Sequence, residues 1–518
     1  MIPYARIANS ILAILTGVLM ALLFPPYNLV WFAPIALTPL LIACAREESR
    51  WWRFAYGYGA AIVYWVLLCH WIQWTMEHHG GMSGALAWLC FALLCLLKSL
   101  QMGAFALLSG SVIRRWFAIP AIAALWVVLE WTHACSGFEW LNLGNAASDL
   151  SLPLRLAPVT GVWGISFVFA LMGAVVASLI LRLHRHPAVW LLALPCLVLL
   201  PDLPAPRKGT AGAVVVQPNI DDETVWSQEL IDNTERQMRL FSLGVAGRDH
   251  STDMIVWPEV PAPFYESDSA FVDQLSSIAK QAQAGVLAGV VARSARNGPP
   301  LNSALLIDEN GNRVSRYDKV NLVPFGEYVP WPFGAIAEKV STEAGDFTPG
   351  RGVVVSRLGG HGVGTFICYE SVYPNYIRQF ASSGAEVLFN ISNDSWFGKS
   401  AARYQHLLIV RMRAAENDRW IVRATNDGVS GVIDPAGRVL TTLPEYEESS
   451  SRLRFGYVAG KTFYTRHGDW FVLLCGIAVA GALATTMLPG RYRPGPIDNR
   501  PAGYQPGYQP APQLLREM

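Results

Sequence analysis

Apolar residues in this chain are gathered at its two ends, and no other feature constrains the fold as much. Runs at 9–25, 27–45, 54–76, 83–113, 116–131, 161–182, 187–201 and 468–488 hold few charges, whereas residues 202–466 read as an ordinary polar sequence. A helix rising about 1.5 Å per residue needs about 20 apolar residues to cross the hydrocarbon of a bilayer. Most of these runs are long enough. Runs 116–131 and 187–201 are short, and 83–113 is long for one upright helix. Charged residues make up only 15 % of the 518 positions and apolar residues 52 %, with 19 tryptophans, where a soluble domain is roughly a quarter charged. The expected fold is a polytopic α-helical membrane protein of about eight spans, with a large domain inserted before the last.

The short loops set its orientation. Arg6, then Arg46, Arg50 and Arg53, then Arg114 and Arg115, then Arg182 and Arg185, then Arg491 and Arg493 fall on alternate loops. The intervening loops, "FPPYN", "EHHGG" and the stretch after Trp131, are nearly free of Lys and Arg. By the positive-inside rule both termini lie in the cytoplasm and residues 202–466 outside, in the periplasm if there is an outer membrane. The first run resembles a signal peptide, but no small-x-small cleavage site precedes "FPPYNLVWFAP" and another span follows, so a retained helix is expected. The division is 1–201, about seven transmembrane helices; 202–466, an extracytoplasmic domain; 467–490, a last transmembrane helix; and 491–518, a disordered cytoplasmic tail rich in Pro and Gly. Lys98 and Glu130 are the obvious charges within spans. Lys98 reads either as a snorkelling or neighbour-facing side chain or as a functional one. A net charge of +1 gives no electrostatic case for nucleic acid, and the ten histidines show no metal-ligand spacing, so neither metal nor cofactor is expected.

The central block alternates strand and helix patterns. Strings such as "AGAVVVQ", "DMIVWPE", "AGVLAGVV", "SALLID", "RVSRYDK", "GVGTFICYE", "AEVLFNIS" and "WIVRATND" read as strands. Amphipathic helices are expected near 224–243, 269–283, 373–382 and 402–417. That alternation predicts an α/β domain, and about 265 residues can bury a full core without disulfides.

Three strand ends in this block finish on chemically useful residues: Glu259, Lys319 and Cys368. Taken singly, each has a bland reading, as a turn residue, a solvated edge and a small core residue. Taken together they form a nucleophilic system. A thiol reacts as thiolate, so it needs a base and a nearby cation. Glu259 would take the proton, and Lys319 would stabilise thiolate and oxyanion. The amide of Tyr369 would complete an oxyanion hole. Cys368 is the lone cysteine between residues 201 and 470, as suits a nucleophile in an oxidising compartment.

The motifs "WPE", "YDKVNLVPFGEYVP", "ICYES" and "NISNDSWFG" resemble the nitrilase (carbon–nitrogen hydrolase) superfamily. Joined to this membrane segment, they resemble its membrane-embedded branch, the apolipoprotein N-acyltransferases. "FPPYNLVWFAP", "VVVQPNI" and "QHLLIVRMRAAENDRWIVRATNDGVSGVIDPAGRV" add to the likeness, which reaches to about residue 490. The resemblance implies an αββα sandwich for 202–466 and a Glu259–Lys319–Cys368 triad. It also implies supporting roles for Glu327, Tyr369 and Glu370, and a substrate-binding role for Trp226 in the looser "DDETVWSQ". The implied reaction moves an acyl chain from a phospholipid, usually phosphatidylethanolamine, through a cysteine thioester to the α-amine of a diacylglyceryl-cysteine at an apolipoprotein N-terminus. Tyr328, Trp331, Phe333 and Ile336, in an apolar stretch beside the lysine, read as an interfacial lid or as an ordinary core-packing loop. A monomer is expected. Two rivals stay open on the sequence: a membrane-tethered amidase using water as acceptor, and a transporter or scaffold with a degenerate enzyme domain.

Overall fold

The computed structural model describes residues 2–135, 137–221, 224–247, 252–295, 298–324, 326–328 and 347–487. The apolar N-terminal sequence winds into α1 (Ile2–Leu22), α2 (Thr38–Arg46), α3 (Arg50–Cys69), α4 (Trp71–His78), α5 (Gly84–Val112) and α6 (Ala118–Cys135). Two single-turn helices, α7 (Ser151–Leu154) and α8 (Ala157–Thr160), lead into α9 (Val162–Leu181). Among the described residues, α1, α5, α6 and α9 are long and apolar enough to cross a membrane. Helices α3 and α4, bent by 55° at their junction, make up a fifth span if counted as one.

Of the other three expected spans, the last is a shorter apolar helix, Trp470–Thr486, and two take another form. Run 27–45 is broken into a 3-10 turn at Val30–Phe32 and the 9-residue α2. At about 1.5 Å per residue α2 is too short to cross alone. Run 187–201 forms two 3-10 segments, Pro187–Ala193 and Pro195–Leu199. Proline is the cause in both places. Pro34 and Pro39 in the first, and Pro187 and Pro195 in the second, lack the N–H that a continuing helix needs.

The helices pack closely. A Cβ on Gly57 of α3 would meet Met102 O of α5 at 2.2 Å, so only glycine permits that approach. Arginines collect at one end of the bundle. Arg6 pairs with Glu47 at 3.5 Å, Arg53 Nε donates to Glu47 O at 2.7 Å, and Arg114 Nη2 donates to Ala45 O at 3.3 Å. At the other end Asp469 accepts from Trp131 Nε1, Trp163 Nε1 and Tyr464 OH, joining the end of α6 to the start of α9.

The central block forms two six-stranded sheets. Their strands are β1 (Ala211–Gln217), β2 (Met254–Val256), β3 (Gly285–Arg293), β4 (Pro300–Ile307), β5 (Arg313–Asp318) and β6 (Val355–Leu358), then β7 (His361–Ile367), β8 (Val387–Ser392), β9 (Trp420–Thr425), β10 (Gly431–Ile433), β11 (Val439–Thr442) and β12 (Ser449–Phe455). The helices of the block are α10 (Gln228–Ala246), α11 (Ser269–Ala282), α12 (Pro374–Ser382) and α13 (Ala402–Asn417). Short α14 (Phe463–His467) then leads into α15 (Trp470–Met487).

The sheet orders are β12-β1-β2-β3-β4-β5 and β6-β7-β8-β9-β10-β11. Each runs antiparallel, parallel, parallel, antiparallel, antiparallel, so both halves repeat one topology. Alternation along β1 shows the layering. Ala213 and Val215 face a core shared with the second sheet, while Val214 and Val216 face α10 and α11. The result is an α–β–β–α stack.

One helix joins this stack to the bundle. Although α13 carries Arg403, Gln405, His406, Arg413, Glu416 and Asn417, all of them are buried. Gln405 Nε2 donates to Pro25 O at 3.0 Å and Leu68 O at 3.3 Å, and its Oε1 accepts from Trp140 Nε1 at 2.8 Å. Glu416 Oε1 accepts from Val162 N, the first residue of α9, at 2.9 Å. A helix wedged between sheet and bundle satisfies its polar groups on both sides instead of showing one wet face.

Candidate active site

Strand ends supply the site. After β2 the chain reads Trp257-Pro258-Glu259, and proline ends the ladder because it has no N–H to give. Gly289 on neighbouring β3 lets this turn sit close, since a Cβ there would meet Pro258 O at 2.2 Å. Lys319 follows β5 directly. Its N–H donates to Asn302 O at 2.8 Å, continuing the β4–β5 pairing that sets Ser303 opposite Asp318. That register puts Asn302 beside the lysine.

The four polar groups close on one another. Lys319 Nζ lies 3.0 Å from Glu259 Oε1 and 3.0 Å from Glu327 Oε1. Asn302 Nδ2 donates to the same two oxygens at 2.7 and 2.8 Å. The second oxygens are fixed by backbone: Asn393 N donates to Glu259 Oε2 at 2.9 Å and Val323 N to Glu327 Oε2 at 2.8 Å. Lys319 is 1 % exposed. Burial opposes its charge, yet Glu259 and Glu327 outweigh burial and hold it well above the ordinary lysine range. The cluster therefore keeps a fixed ammonium in a dry place.

Cys368 is the first residue past β7, in a 3-10 turn running to Val372, and its φ is +50°. A side chain in this left-handed region costs roughly 1–2 kcal/mol, so the surroundings hold the turn in place. Burial pushes the thiol up, the Glu259 charge adds to that, and Lys319 pulls the other way. At rest Cys368 is a thiol, and a nearby base is needed to make it a nucleophile.

Glu370 acts as a clamp. It accepts from Ile367 N and Val320 N at 2.8 Å, Asn321 N at 3.1 Å and Tyr317 OH at 2.6 Å. The lysine loop is thereby tied to the cysteine turn. Burial pushes this carboxyl up to about 7 against the pull of those donors. The ring of Tyr369 turns toward the bundle, with its OH donating to Glu139 O at 3.2 Å and its face stacked near Phe138 and Trp140. Lys98 reaches the same loop, where Nζ donates to Phe138 O at 2.6 Å.

Of the residues singled out in sequence, Glu259, Lys319 and Glu327 meet directly, and Tyr369 and Glu370 frame Cys368. Trp226 packs, partly buried, against the outer core between the first sheet and its helices. Trp331, Phe333 and Ile336 lie outside the described residues, as does the tail at 491–518. Sequence reasoning missed Asn302, Tyr317, Asp394, His406 and Arg423. A signal existed for Asn302, a polar residue inside an apolar strand, and for Asp394 within "NISNDSWFG".

Fold and site together define the class: an enzyme whose α–β–β–α domain is of the nitrilase type, carried on a bundle of apolar helices. Residues 213–456 match the family described as Carbon-nitrogen hydrolase, and residues 16–175 match Apolipoprotein N-acyltransferase N-terminal domain. An apolipoprotein N-acyltransferase of Geobacter metallireducens is 32 % identical over 92 % of this chain and 95 % of its own length. Those of Azotobacter vinelandii and Pseudomonas aeruginosa PAO1 are 31 % and 32 % identical, each over 93 % of this chain and over 97 % and 96 % of their own lengths. The chain belongs to the apolipoprotein N-acyltransferase family. Among solved structures, an amidase of the nitrilase superfamily from Nesterenkonia is 19 % identical, over 51 % of this chain and 97 % of its own, with a TM-score of 0.36. A Saccharomyces cerevisiae member of branch 10 of that superfamily is 17 % identical, over 48 % and 90 %, with a TM-score of 0.39.

Proposed function

We propose that this protein transfers a fatty acyl chain from a phospholipid, through a thioester on Cys368, to the free α-amine of an apolipoprotein's diacylglyceryl-cysteine. The observation that carries this reading is the buried Glu259–Lys319–Glu327–Asn302 cluster, whose charges act on Cys368 in a domain joined through α13 to apolar helices. Glu259 takes the Cys368 proton, and Sγ attacks the sn-1 ester carbonyl. The oxyanion is met by the Lys319 ammonium and the Tyr369 N–H. The ester C–O bond breaks, and the departing alkoxide of the lysophospholipid takes the proton back from Glu259. In the second half-reaction the amine attacks the thioester, the C–S bond breaks, and Glu259 accepts the ammonium proton that finally returns to Sγ. Holding both lipid-anchored substrates at one membrane surface gives the proximity this exchange needs.

Phosphatidylethanolamine as donor, a monomeric state, a lid containing Trp331 and Phe333, and substrate contact by Trp226 complete the reading. The membrane is the bacterial inner membrane, with the catalytic domain periplasmic and both termini cytoplasmic. Support for this orientation comes from Arg6, Arg53 and Arg114 meeting at one bundle end while the α–β–β–α stack sits against the other. The test is a two-stage incubation of the purified enzyme. Phospholipid alone should leave one acyl chain on Cys368, and a diacylglyceryl peptide with a free amine should remove it. Rapid release of free fatty acid with no acceptor present would favour an amidase-type hydrolase instead.

A further inference from the structure

A buried histidine that the proposed chemistry does not use sits under the nucleophile's own peptide group. His406, on α13, is 0 % exposed. Its Nε2 lies 3.1 Å from Cys368 O and 2.9 Å from Ser371 Oγ. Its Nδ1 lies 3.1 Å from Asp394 Oδ1 and 3.1 Å from Arg423 Nη2. Asp394 is held in turn by Arg423 Nη2 at 2.6 Å and by Ser392 Oγ, which donates at 2.9 Å. The imidazole is therefore gripped on one side by an ion pair anchored in β8 and β9, and on the other it faces the cysteine turn.

Two points of chemistry follow. A carbonyl oxygen can only accept, so a hydrogen bond to Cys368 O puts the proton on Nε2; Nδ1 then accepts from Arg423 Nη2, while Asp394 takes its hydrogen bonds from Arg423 and Ser392. A trans peptide also holds its C=O and N–H in one plane, pointing to opposite sides of the C–N bond. Whatever fixes the Cys368 carbonyl therefore fixes the Tyr369 N–H, which points the other way. Without such a grip the left-handed backbone of Cys368, at φ +50°, would be free to relax and swing that N–H out of line.

We propose that His406 is a positioning residue for the acyl transfer: its Nε2–H holds the Cys368 carbonyl and so presets the Tyr369 amide as an oxyanion donor. The inference rests on the reading of Cys368 as the acyl-carrying nucleophile, and its test separates the two. Wild type, His406→Ala, His406→Gln and His406→Asn are compared in detergent for two rates. One is acylation of Cys368 by phosphatidylethanolamine, which passes through an oxyanion. The other is alkylation of Cys368 by iodoacetamide, a displacement that forms none. Removing one oxyanion donor typically costs about 10²- to 10³-fold in rate. His406→Ala should lose acylation by about that factor while alkylation changes less than about threefold, a split that a purely structural role would not produce.

Glutamine can set an amide N–H near the Nε2 position, whereas asparagine reaches only the Nδ1 position. Gln should therefore recover most of the acylation rate and Asn should not. Acylation at the wild-type rate in His406→Ala, or parallel loss of acylation and alkylation, overturns the inference. If the alanine variant does not fold, the Gln and Asn variants decide, and equal acylation rates in those two overturn it. A wild-type enzyme that takes no acyl group onto Cys368 overturns the proposed function, and this inference with it.

Discussion

Replacing Asn302 by alanine probes the polar cluster without touching any group that reacts. Asn302 Nδ2 donates to Glu259 Oε1 at 2.7 Å and to Glu327 Oε1 at 2.8 Å. Hydrogen bonds to charged partners are worth about 1.5–3 kcal/mol each, so the amide contributes about 3–6 kcal/mol in all. In the variant two buried carboxylates share one ammonium at 3.0 Å from each, with no neutral donor between them. Glu259 then sits less firmly beside the thiol. If about half of the loss falls on the barrier to thioester formation, at about 1.4 kcal/mol per factor of ten, acylation slows about 10- to 150-fold. The remainder appears as a lower unfolding temperature. Asn302→Asp should be worse, since a third carboxylate joins a site with one cation. The assay is a single-turnover time course of acyl-Cys368 formation with excess phospholipid, read by mass spectrometry beside a thermal melt. An Asn302→Ala enzyme that acylates within threefold of wild type and melts at the same temperature would refute the role given to this cluster.

Glu259→Gln should block thioester formation by removing the base, and Lys319→Arg should fail because a planar guanidinium does not fit a site built for a compact ammonium; wild-type acylation by either variant removes that residue from the mechanism. Glu139 gives a pH-dependent prediction. It is 1 % exposed, and burial pushes its carboxyl up to about 8 against the pull of the Asn142 amide, which donates to Oε1 at 3.0 Å. A carboxyl raised in the folded state stabilises while protonated and loses that contribution as pH rises. The stability of wild type relative to Glu139→Gln should therefore fall between about pH 5 and about pH 8 and level off above, as read from melts across that range. A flat difference would show that Glu139 titrates as an exposed carboxylate. For the lid, Trp331→Ala with Phe333→Ala should weaken use of vesicle phospholipid and spare a soluble thioester donor; equal losses with both donors would assign these residues to fold or chemistry instead.

Much of the site was legible because its chemistry sits at strand ends. Short β-rich strings mark β2, β5 and β7, and Glu259, Lys319 and Cys368 stand just past them, where the ladder stops and side chains are free to converge. What such strings do not reveal is which residue of a neighbouring strand will lie opposite. Asn302 became visible only through the β4–β5 register, and His406 only through the packing of α13 beneath β7. Helix α13 was legible as a helix near 402–417, but its pattern did not reveal how far it would be enclosed. Arg403, Gln405, Arg413 and Glu416 are buried and satisfied by sheet and bundle, and only a narrow strip at Tyr404, Leu407 and Arg411 is left less buried. Strand β12, "SSSRLRF", was unread because its polar composition hides an edge strand, which pairs with β1 from Ala211↔Phe455 to Gln217↔Ser449. In the bundle, hydropathy summed over 27–45 and 187–201 ignored the prolines that break them, so composition alone overstated the number of full-length helices.

The most direct test of the central claim is the mass of the peptide containing Cys368 after the purified enzyme meets phosphatidylethanolamine and nothing else. A thioester placed where water is poorly aligned should persist until an amine arrives. That peptide should therefore gain one fatty acyl chain. Hydroxylamine should release it, a diacylglyceryl peptide with a free N-terminal amine should discharge it, and the N-acetylated peptide should not. A folded enzyme whose Cys368 stays unmodified in the presence of phospholipid would contradict the account.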